Sequence, residues 1–243
     1  MLHREMEPRA IVEPDPDRLA GAARAVAAGA DVLVLDDAYQ RLGVARDLNI
    51  CVVSAESTLA VGWTLPAGPW RERLSALDRA DFLIVTRKRA DAATARQLAE
   101  TLAPRVKGPF AIVALELAML RGLVSGTERE VSWLAGRRVV AASAIADPAA
   151  FVAQIKQTGA QVQVATWKDH HQFRDEDIAW LAHAARRADH VVVTAKDAVK
   201  LRDRWPQSVP EPFVATLRLR FEAGESTLRD ALARLLAPTT RST

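Results

Sequence analysis

The feature that most constrains the fold is an alternation of short apolar runs with helix-like segments along the 243 residues. Runs such as Phe82–Thr86 and His190–Thr194 are short and bounded by charged or turn-forming residues, which favours buried strands. Segments such as Asp175–Arg187 carry apolar residues at helical spacing instead. Because parallel strands need a crossover connection between them, this alternation predicts an α/β fold with a parallel sheet.

The same pattern predicts two units, residues 1–136 and a smaller α/β domain over residues 137–243, which begins near Arg137. Strands are predicted at Ala10–Val12, Asp31–Leu35, Asn49–Ser54, Phe82–Thr86, Phe110–Leu117, Arg138–Ser143, Gln161–Thr166, His190–Thr194 and Phe213–Arg220. Helices are predicted at Arg18–Ala28, Arg73–Arg79, Ala90–Leu102, Pro148–Gln157, Asp175–Arg187 and Ser226–Leu236.

Composition excludes several classes of protein. Hydrophobic residues make up 49% and charged residues 26%, which argues against disorder. There is no dense basic block with interleaved aromatic residues, so no nucleic-acid partner is predicted. Cys51 is the only cysteine, which excludes an intramolecular disulfide and fits a reducing cytoplasm. The longest apolar stretch, Phe110–Leu120, is shorter than the roughly 20 residues that a bilayer requires, so any membrane contact is expected to be peripheral.

The first candidate for chemistry is a pair of carboxylates, Asp36 and Asp37, that follows the apolar run Val32–Leu35. Carboxylates after a buried strand lie at the carboxyl edge of a sheet, where ligands bind in open α/β folds. In phosphotransferases such a residue holds Mg²⁺ on nucleotide phosphates. The alternative is that both residues begin a turn or cap a helix.

The second candidate is the run Asp169-His170-His171. Histidine carries protons near neutral pH, and a neighbouring carboxylate can orient it. The alternative is a loop that leads into the helix at Asp175, where acidic residues complement the helix dipole.

Two further segments carry weaker signals. Leu65–Glu72 contains two prolines and a glycine, so Arg71 would project from a fixed loop towards an anionic substrate, unless the loop is a plain connector. Lys196 and Asp197 follow the predicted strand His190–Thr194, where the alternative to a site is a strand–helix junction with a surface ion pair worth little.

A phosphate-binding loop is absent from this sequence. Such a loop needs the pattern GxxxxGK[ST], so that backbone N–H groups and a lysine surround the phosphates. None of the 11 glycines begins this pattern. The expectation is that a strand, the loop and a helix precede Met1.

Five segments, taken together and in order, resemble the tetraacyldisaccharide 4′-kinase family, the lipid A 4′-kinases of Gram-negative bacteria. The family motif L-D-D-G-F-Q-H is similar to Leu35–Arg41, which reads Leu-Asp-Asp-Ala-Tyr-Gln-Arg. The other segments that resemble family motifs are Arg46–Ile50, Leu65–Arg73, Asp169–Phe173 and Val193–Leu201.

The resemblance implies a P-loop-kinase-like parallel sheet, incomplete at its N-terminus, in residues 1–136. It also implies ATP-dependent phosphorylation of the 4′-hydroxyl of a lipid-linked disaccharide at the cytoplasmic face of the inner membrane. ATP and Mg²⁺ are the implied cofactors, with Asp36 and Asp37 as the metal residues. Arg71, Glu72 and Gln40 are the implied substrate-binding residues.

The resemblance places catalysis at Asp169, His170 and His171, where one histidine would position or tune the catalytic base. Three residues depart from the family pattern: Ala38 replaces glycine, Arg41 replaces histidine and Ala195 replaces glutamate. Ala38 is expected to strain its turn if the glycine had a positive φ. Since the family's phosphate-binding loop, its base and its membrane-associating helix are expected before Met1, the chain alone is expected to be inactive.

Two alternatives remain open on the sequence. Asp-His-His also occurs in metal-dependent phosphoesterases, which need further Asp and His ligands for a two-metal site. A non-catalytic remnant that binds lipid or a partner is compatible with the substitutions at Ala38, Arg41 and Ala195.

Overall fold

The computed structural model describes residues 10–56, 63–68 and 70–237. The strands are β1 (Ile50–Ser54), β2 (Phe82–Arg87), β3 (Phe110–Gly122), β4 (Glu128–Glu130), β5 (Arg138–Ser143), β6 (Gln161–Thr166), β7 (His190–Thr194) and β8 (Phe213–Ala223). The α-helices are α1 (Arg18–Ala27), α2 (Ala92–Leu102), α3 (Pro148–Gln157), α4 (Asp175–Ala185), α5 (Ala195–Leu201) and α6 (Glu225–Leu236). Short 3₁₀ helices cover Leu74–Arg79, Ala103–Arg105 and Val131–Leu134.

The strands form one sheet in the order β1-β2-β3-β8-β7-β5-β6, with β4 paired to β3. All neighbours pair in parallel except for β3 with β8 and β3 with β4. The predicted α/β class is therefore confirmed. Because β3 and β8 run antiparallel, the half-sheet β1-β2-β3 and the half-sheet β8-β7-β5-β6 point in opposite directions.

The two half-sheets are joined by a long two-stranded ribbon made of β3 and β8. The last residue of β2, Arg87, pairs with Ala114 of β3, whereas the last residue of β7, Thr194, reaches the level of Leu120 through Ala215 of β8. Along β8 these levels are five residues apart, from Ala215 to Arg220, which is about 16 Å at roughly 3.3 Å per residue. The carboxyl ends of the two sets of parallel strands therefore face each other across the middle of the ribbon.

Helices cover the sheet through three apolar clusters. Helix α2 packs on the first half-sheet through Leu98 and Leu102. On the second half-sheet, α4 packs on one face through Leu181, and α3 packs on the other through Ile155. Each cluster forms because the covering helix presents apolar residues at helical spacing to strands that are buried on both faces.

A buried glutamine on α3, Gln154, lies in the gap between the half-sheets. Its amide nitrogen donates to the carbonyls of Lys88 (3.0 Å) and Leu115 (2.6 Å), and its oxygen accepts from the backbone N–H of Leu117 (3.1 Å). The middle of β3 has no neighbouring strand on this side, so the side chain replaces strand pairing there. It also ties α3 to the segment that follows β2.

Two predicted strands are wrong. Ala10–Val12 and Asp31–Leu35 are not strands, and Val34 of the second run is 90% exposed. An apolar run becomes a buried strand only where a neighbouring strand pairs with its backbone, and no described strand pairs with residues 31–35. Other boundaries move by a few residues; β3 and β8 extend beyond their predicted ends because they pair with each other.

The division at residue 137 stays a prediction. The sheet continues across that position through the ribbon, and β8 lies beside β3 in sheet order. Among the described residues, no helix combines the length and apolarity that a membrane crossing requires.

His190, at the start of β7, is held in an aromatic cluster. Its ring lies 4.1 Å from the ring of Trp133 and 5.5 Å from that of Phe213. Its buried Nε2 has no hydrogen-bond partner within the described part of the chain. Burial, aided by the charge of Arg137, lowers the pKa of His190, although Asp189 acts in the opposite direction. The folded protein therefore favours the neutral ring.

We expect this histidine to make stability depend on pH. Below its ordinary pKa of 6.5, His190 takes up a proton more readily in the unfolded chain, so the free energy of unfolding falls between pH 7 and pH 5.5. His190→Phe keeps an aromatic ring and removes the titration, so urea unfolding should show a smaller loss over this range. The exposed His183, changed to Gln, is the control and should keep the wild-type pH dependence; an unchanged dependence in His190→Phe would contradict the prediction.

Candidate active site

The loop that carries the predicted metal residues is linked to the predicted substrate-binding arginine. Arg71 Nη1 donates to both carboxylate oxygens of Asp37, at 2.8 and 3.0 Å, and both side chains are more than half exposed. Asp37 has a positive φ of 48°. Asp36 and Gln40 are exposed on the same loop. The structure thus joins Asp37 and Arg71 in one charged surface cluster.

Glu72 is held by a different partner. Its carboxylate accepts from Arg79 at 2.9 Å, and the Arg79 guanidinium lies 4.9 Å from the ring centre of Tyr39. The Tyr39 hydroxyl donates to the carbonyl of Ala76 at 2.7 Å, and burial raises its pKa to about 12. These contacts fix the loop against the 3₁₀ helix that precedes β2.

The expected strain at Ala38 is absent. Within the described part of the chain, the residues other than glycine with a positive φ are Asp37 and His170, so Ala38 needs no glycine-like backbone. Ala38 is buried, and its carbonyl accepts from Arg46 at 2.7 Å. The glycine-to-alanine change is therefore accommodated by a turn whose left-handed residue is its neighbour.

The second predicted site lies at the carboxyl end of the other half-sheet. Asp169 and His170 follow β6, and Lys196 follows β7. Lys196 Nζ donates to Asp169 at 3.0 Å and lies 3.5 Å from His170 Nε2. The hydrogen bond from Lys196 lowers the pKa of Asp169. The His170 side chain is 77% exposed and its φ is 62°, so a left-handed backbone turns it towards solvent beside a carboxylate and an ammonium.

His171 points the other way and is built into the protein. Its Nε2 lies 2.8 Å from Asp177, which also accepts from the Trp167 indole and the Arg174 backbone N–H. Burial raises the pKa of Asp177, but these hydrogen bonds outweigh it and leave the pKa below its usual range. The His171 carbonyl accepts from Lys200 at 2.9 Å. His171 therefore anchors the loop that presents His170.

Asp197 is buried, and the surface ion pair that we weighed for it is wrong. Its carboxylate accepts from the Ala144 N–H (2.9 Å), the Thr194 hydroxyl (2.7 Å) and Lys200 Nζ (3.2 Å). These partners come from the ends of β5 and β7 and from α5. Lys200 also donates to the His171 carbonyl, so Asp197 is linked to the Asp169–His171 loop through Lys200.

Sequence reasoning missed Glu56, which follows β1. Its carboxylate accepts from the backbone N–H groups of Lys88, Arg89 and Ala90, at 2.8, 3.0 and 3.1 Å, and from the Ser54 hydroxyl. Burial raises its pKa, but these four donors prevail and lower it to about 2. A lone glutamate after a strand carries no distinctive sequence signal, so only the three-dimensional neighbours identify it.

The described residues contain no group of three or more His, Cys, Asp or Glu side chains that could hold a metal. Mg²⁺ needs no such group, because it commonly binds one or two carboxylates together with water and phosphate oxygens. The exposed pair Asp36 and Asp37 fits that donor set. A two-metal phosphoesterase site would need more ligands than this pair supplies.

Comparison with known proteins identifies the same family as the sequence motifs. The family profile LpxK, described as tetraacyldisaccharide-1-P 4′-kinase, matches residues 1–237. The chain belongs to the tetraacyldisaccharide 4′-kinase family. Curated family members include one from Xanthomonas euvesicatoria pv. vesicatoria, 34% identical over 208 residues, covering 83% of this chain and 56% of that protein. Another, from Methylobacterium radiotolerans, is 35% identical over 225 residues, covering 91% of this chain and 63% of that protein.

A solved structure of the family supports the fold. The apo-form crystal structure of LpxK from Aquifex aeolicus in complex with ATP matches with a TM-score of 0.56 and 23% identity. The match covers 83% of this chain and 56% of that one. This chain thus spans little more than half the length of the tetraacyldisaccharide 4′-kinases that it matches.

Proposed function

We propose that this chain is part of an ATP-dependent kinase that phosphorylates the 4′-hydroxyl of a tetraacyl disaccharide 1-phosphate in lipid A biosynthesis. The observation that carries the proposal is His170, exposed at the carboxyl end of the second half-sheet between Asp169 and Lys196. This edge faces the carboxyl ends of the first half-sheet. Ligands of α/β folds bind at such edges.

Each candidate residue has a role in the proposed reaction that follows from its chemistry. The reaction forms a bond between the 4′-oxygen and the γ-phosphorus, breaks the bond to the β,γ-bridging oxygen, and releases ADP and the hydroxyl proton. His170 is the group that accepts this proton or orients its acceptor, and Lys196 and Asp169 lie 3.5 and 3.6 Å from its Nε2. Arg71 and Gln40 contact the substrate, while Glu72 keeps their loop in place. Asp36 and Asp37 would hold Mg²⁺, which supplies charge neutralisation at the phosphates when bound.

Family membership also supports the setting of the reaction. A tetraacyl disaccharide is a membrane lipid, so we place the enzyme in peripheral contact with the cytoplasmic face of the bacterial inner membrane. The sequence contains no GxxxxGK[ST] pattern. We therefore expect this chain, purified alone, to transfer no phosphate from ATP, because positioned phosphate ligands supply most of the catalysis in this reaction class.

A chimera tests the function. In the chimera, this chain replaces the matching segment of the Methylobacterium radiotolerans relative, with which it shares 35% identity over 225 residues. We expect the chimera to convert radiolabelled ATP and tetraacyl disaccharide 1-phosphate into the 4′-phosphorylated lipid. The double variant Asp36→Asn/Asp37→Asn should abolish transfer, whereas a chimera changed at the exposed Asp203, to Asn, should keep it. A folded chimera that binds ATP and lipid without transferring phosphate would favour a binding role.

A further inference from the structure

The gap between the two half-sheets contains a pocket of about 520 Å³ on the α3 side. It is bounded by the residues that follow β2, by the middle of β3, by the 3₁₀ helix Val131–Leu134 and by the end of α3. Its lining includes Lys88, Arg89, Leu117, Ser132, Gln157 and Thr158. Apart from the backbone N–H groups of Lys88 and Arg89, which bind Glu56, none of these residues has a part in the site described above. The pocket lies beside the carboxyl end of β2 and the middle of β3.

Most of the charges around this pocket are already paired. Arg87 forms a bidentate ion pair with Glu222. Glu116 accepts from Arg220 at 2.7 Å and lies 3.3 Å from Arg218, and these contacts lower its pKa, the one to Arg220 most. A carboxylate shared between two guanidinium groups adds little repulsion for an incoming anion.

Lys88 and Arg89 are different, because neither charged group forms an ion pair within 4.0 Å with a carboxylate of the described residues. Their backbone is nevertheless fixed on both sides. Glu56 binds both N–H groups, and Gln154 donates to the Lys88 carbonyl. Two cations therefore project from a rigid segment at the end of β2, and little backbone order has to be gained when an anion binds.

The rest of the pocket suits a sugar. Ser132 and Gln157 present exposed polar groups, and the Thr158 hydroxyl, which donates to the Ile155 carbonyl, can still accept. Leu117 adds an apolar wall that can contact the C–H face of a ring. Gln154 has no donor left for a ligand, since its amide nitrogen already donates to two backbone carbonyls.

We propose that this pocket binds a sugar phosphate through Lys88 and Arg89, and that its ligand is the phosphate that the substrate already carries, away from the reacting hydroxyl. Lys88 and Arg89 donate to the phosphate oxygens, and Ser132, Gln157 and Thr158 bind the hydroxyls of the attached ring. The inference rests on the proposed function, which it deepens by naming a subsite for the fixed end of the acceptor.

The test measures binding to the full chain without ATP. ¹⁵N-labelled protein is titrated with glucosamine 1-phosphate, with inorganic phosphate and with glucosamine, and the backbone amides of Lys88, Arg89 and Leu117 are followed by NMR. We expect these amides to shift with glucosamine 1-phosphate, with an affinity at least tenfold higher than for either fragment. The variant Lys88→Gln/Arg89→Gln should lose at least tenfold in affinity.

A matched control separates local contact from net charge. Arg186→Gln/Arg187→Gln removes two adjacent exposed charges at the end of α4 and should bind within twofold of the wild type. The proposal is overturned if the wild type shows no shift at these amides, if both double variants lose affinity equally, or if inorganic phosphate binds as well as the sugar phosphate. Because no transfer is measured, failure here leaves the chimera experiment untouched, and an inactive chimera does not alter this binding result.

Discussion

Replacing His170 by alanine in the active chimera is expected to lower kcat about 10²–10⁴-fold, the range for loss of a positioned proton-transfer group. The expectation follows from the exposed ring held beside Asp169 and Lys196. Steady-state kinetics at saturating ATP and lipid measure the effect. Added imidazole should restore part of the activity, because the deleted ring leaves a space that opens to solvent.

His171→Ala is the matched variant and should behave in the opposite way. It removes the partner of the part-buried Asp177, so we expect a loss of about 1–3 kcal/mol in the free energy of unfolding and a kcat within a few-fold of the wild type. If His171→Ala lost activity without losing stability while His170→Ala stayed active, the two roles would have to be exchanged.

Asp197→Ala is expected to be the most destabilising single change among those considered, by about 3–5 kcal/mol, the range for breaking a buried charge pair. The side chain is fully buried, and its removal leaves the Ala144 N–H and the Lys200 ammonium without their carboxylate. Urea denaturation followed by circular dichroism gives the midpoint and the slope. The midpoint should fall while the slope stays constant, as for a change in stability alone.

Asp203→Ala is the control for this experiment. Asp203 is exposed in the turn after α5, and its loss should change stability by no more than about 0.5 kcal/mol. Asp197→Asn keeps the shape and one accepting oxygen, so its effect should lie between the two. A value for Asp197→Ala equal to that of Asp203→Ala would show that the buried hydrogen bonds contribute little.

Much of the second half of the chain follows from local sequence. The strands Arg138–Ser143, Gln161–Thr166 and His190–Thr194 and the helix Pro148–Gln157 have the predicted bounds. Arg138–Ser143 and His190–Thr194 are apolar runs between polar turns, whereas Gln161–Thr166 alternates polar and apolar residues in its first four positions. Asp147 caps the helix start just before Pro148. Here local preference and tertiary context agree, so a single sequence suffices.

The arrangement of the sheet could not be predicted in this way. The pairing of β3 with β8 joins residues about a hundred positions apart, and it reverses the direction of one half-sheet. The run at residues 31–35 shows the opposite failure: its local pattern is that of a strand, but no described strand pairs with it. Local sequence specifies that a segment can pair, whereas the partner is fixed by the whole chain.

The sequence could predict which residues belong to the candidate site, but not the role of each residue. The sequence singled out His170 and His171 without distinguishing them, and the difference lies in one left-handed residue and in the contact to Asp177. Lys196 and Asp197 were weighed together, although one is exposed beside Asp169 and the other is buried under the loop. Two neighbouring residues on one short helix therefore differ in burial, and the sequence does not show which of them faces the solvent.

The ribbon also has a consequence for how this protein can be divided and recombined. Gly122 pairs with Phe213, and the Leu123 N–H donates to the Pro212 carbonyl at 3.0 Å, so the chain leaves the ribbon and returns to it at one place. Everything between these points is a block of sequence inserted into what would otherwise be a hairpin. Relatives could therefore exchange the histidine-bearing block as a cassette through two adjacent splice points, with the half of the protein that carries Asp36 and Asp37 left intact.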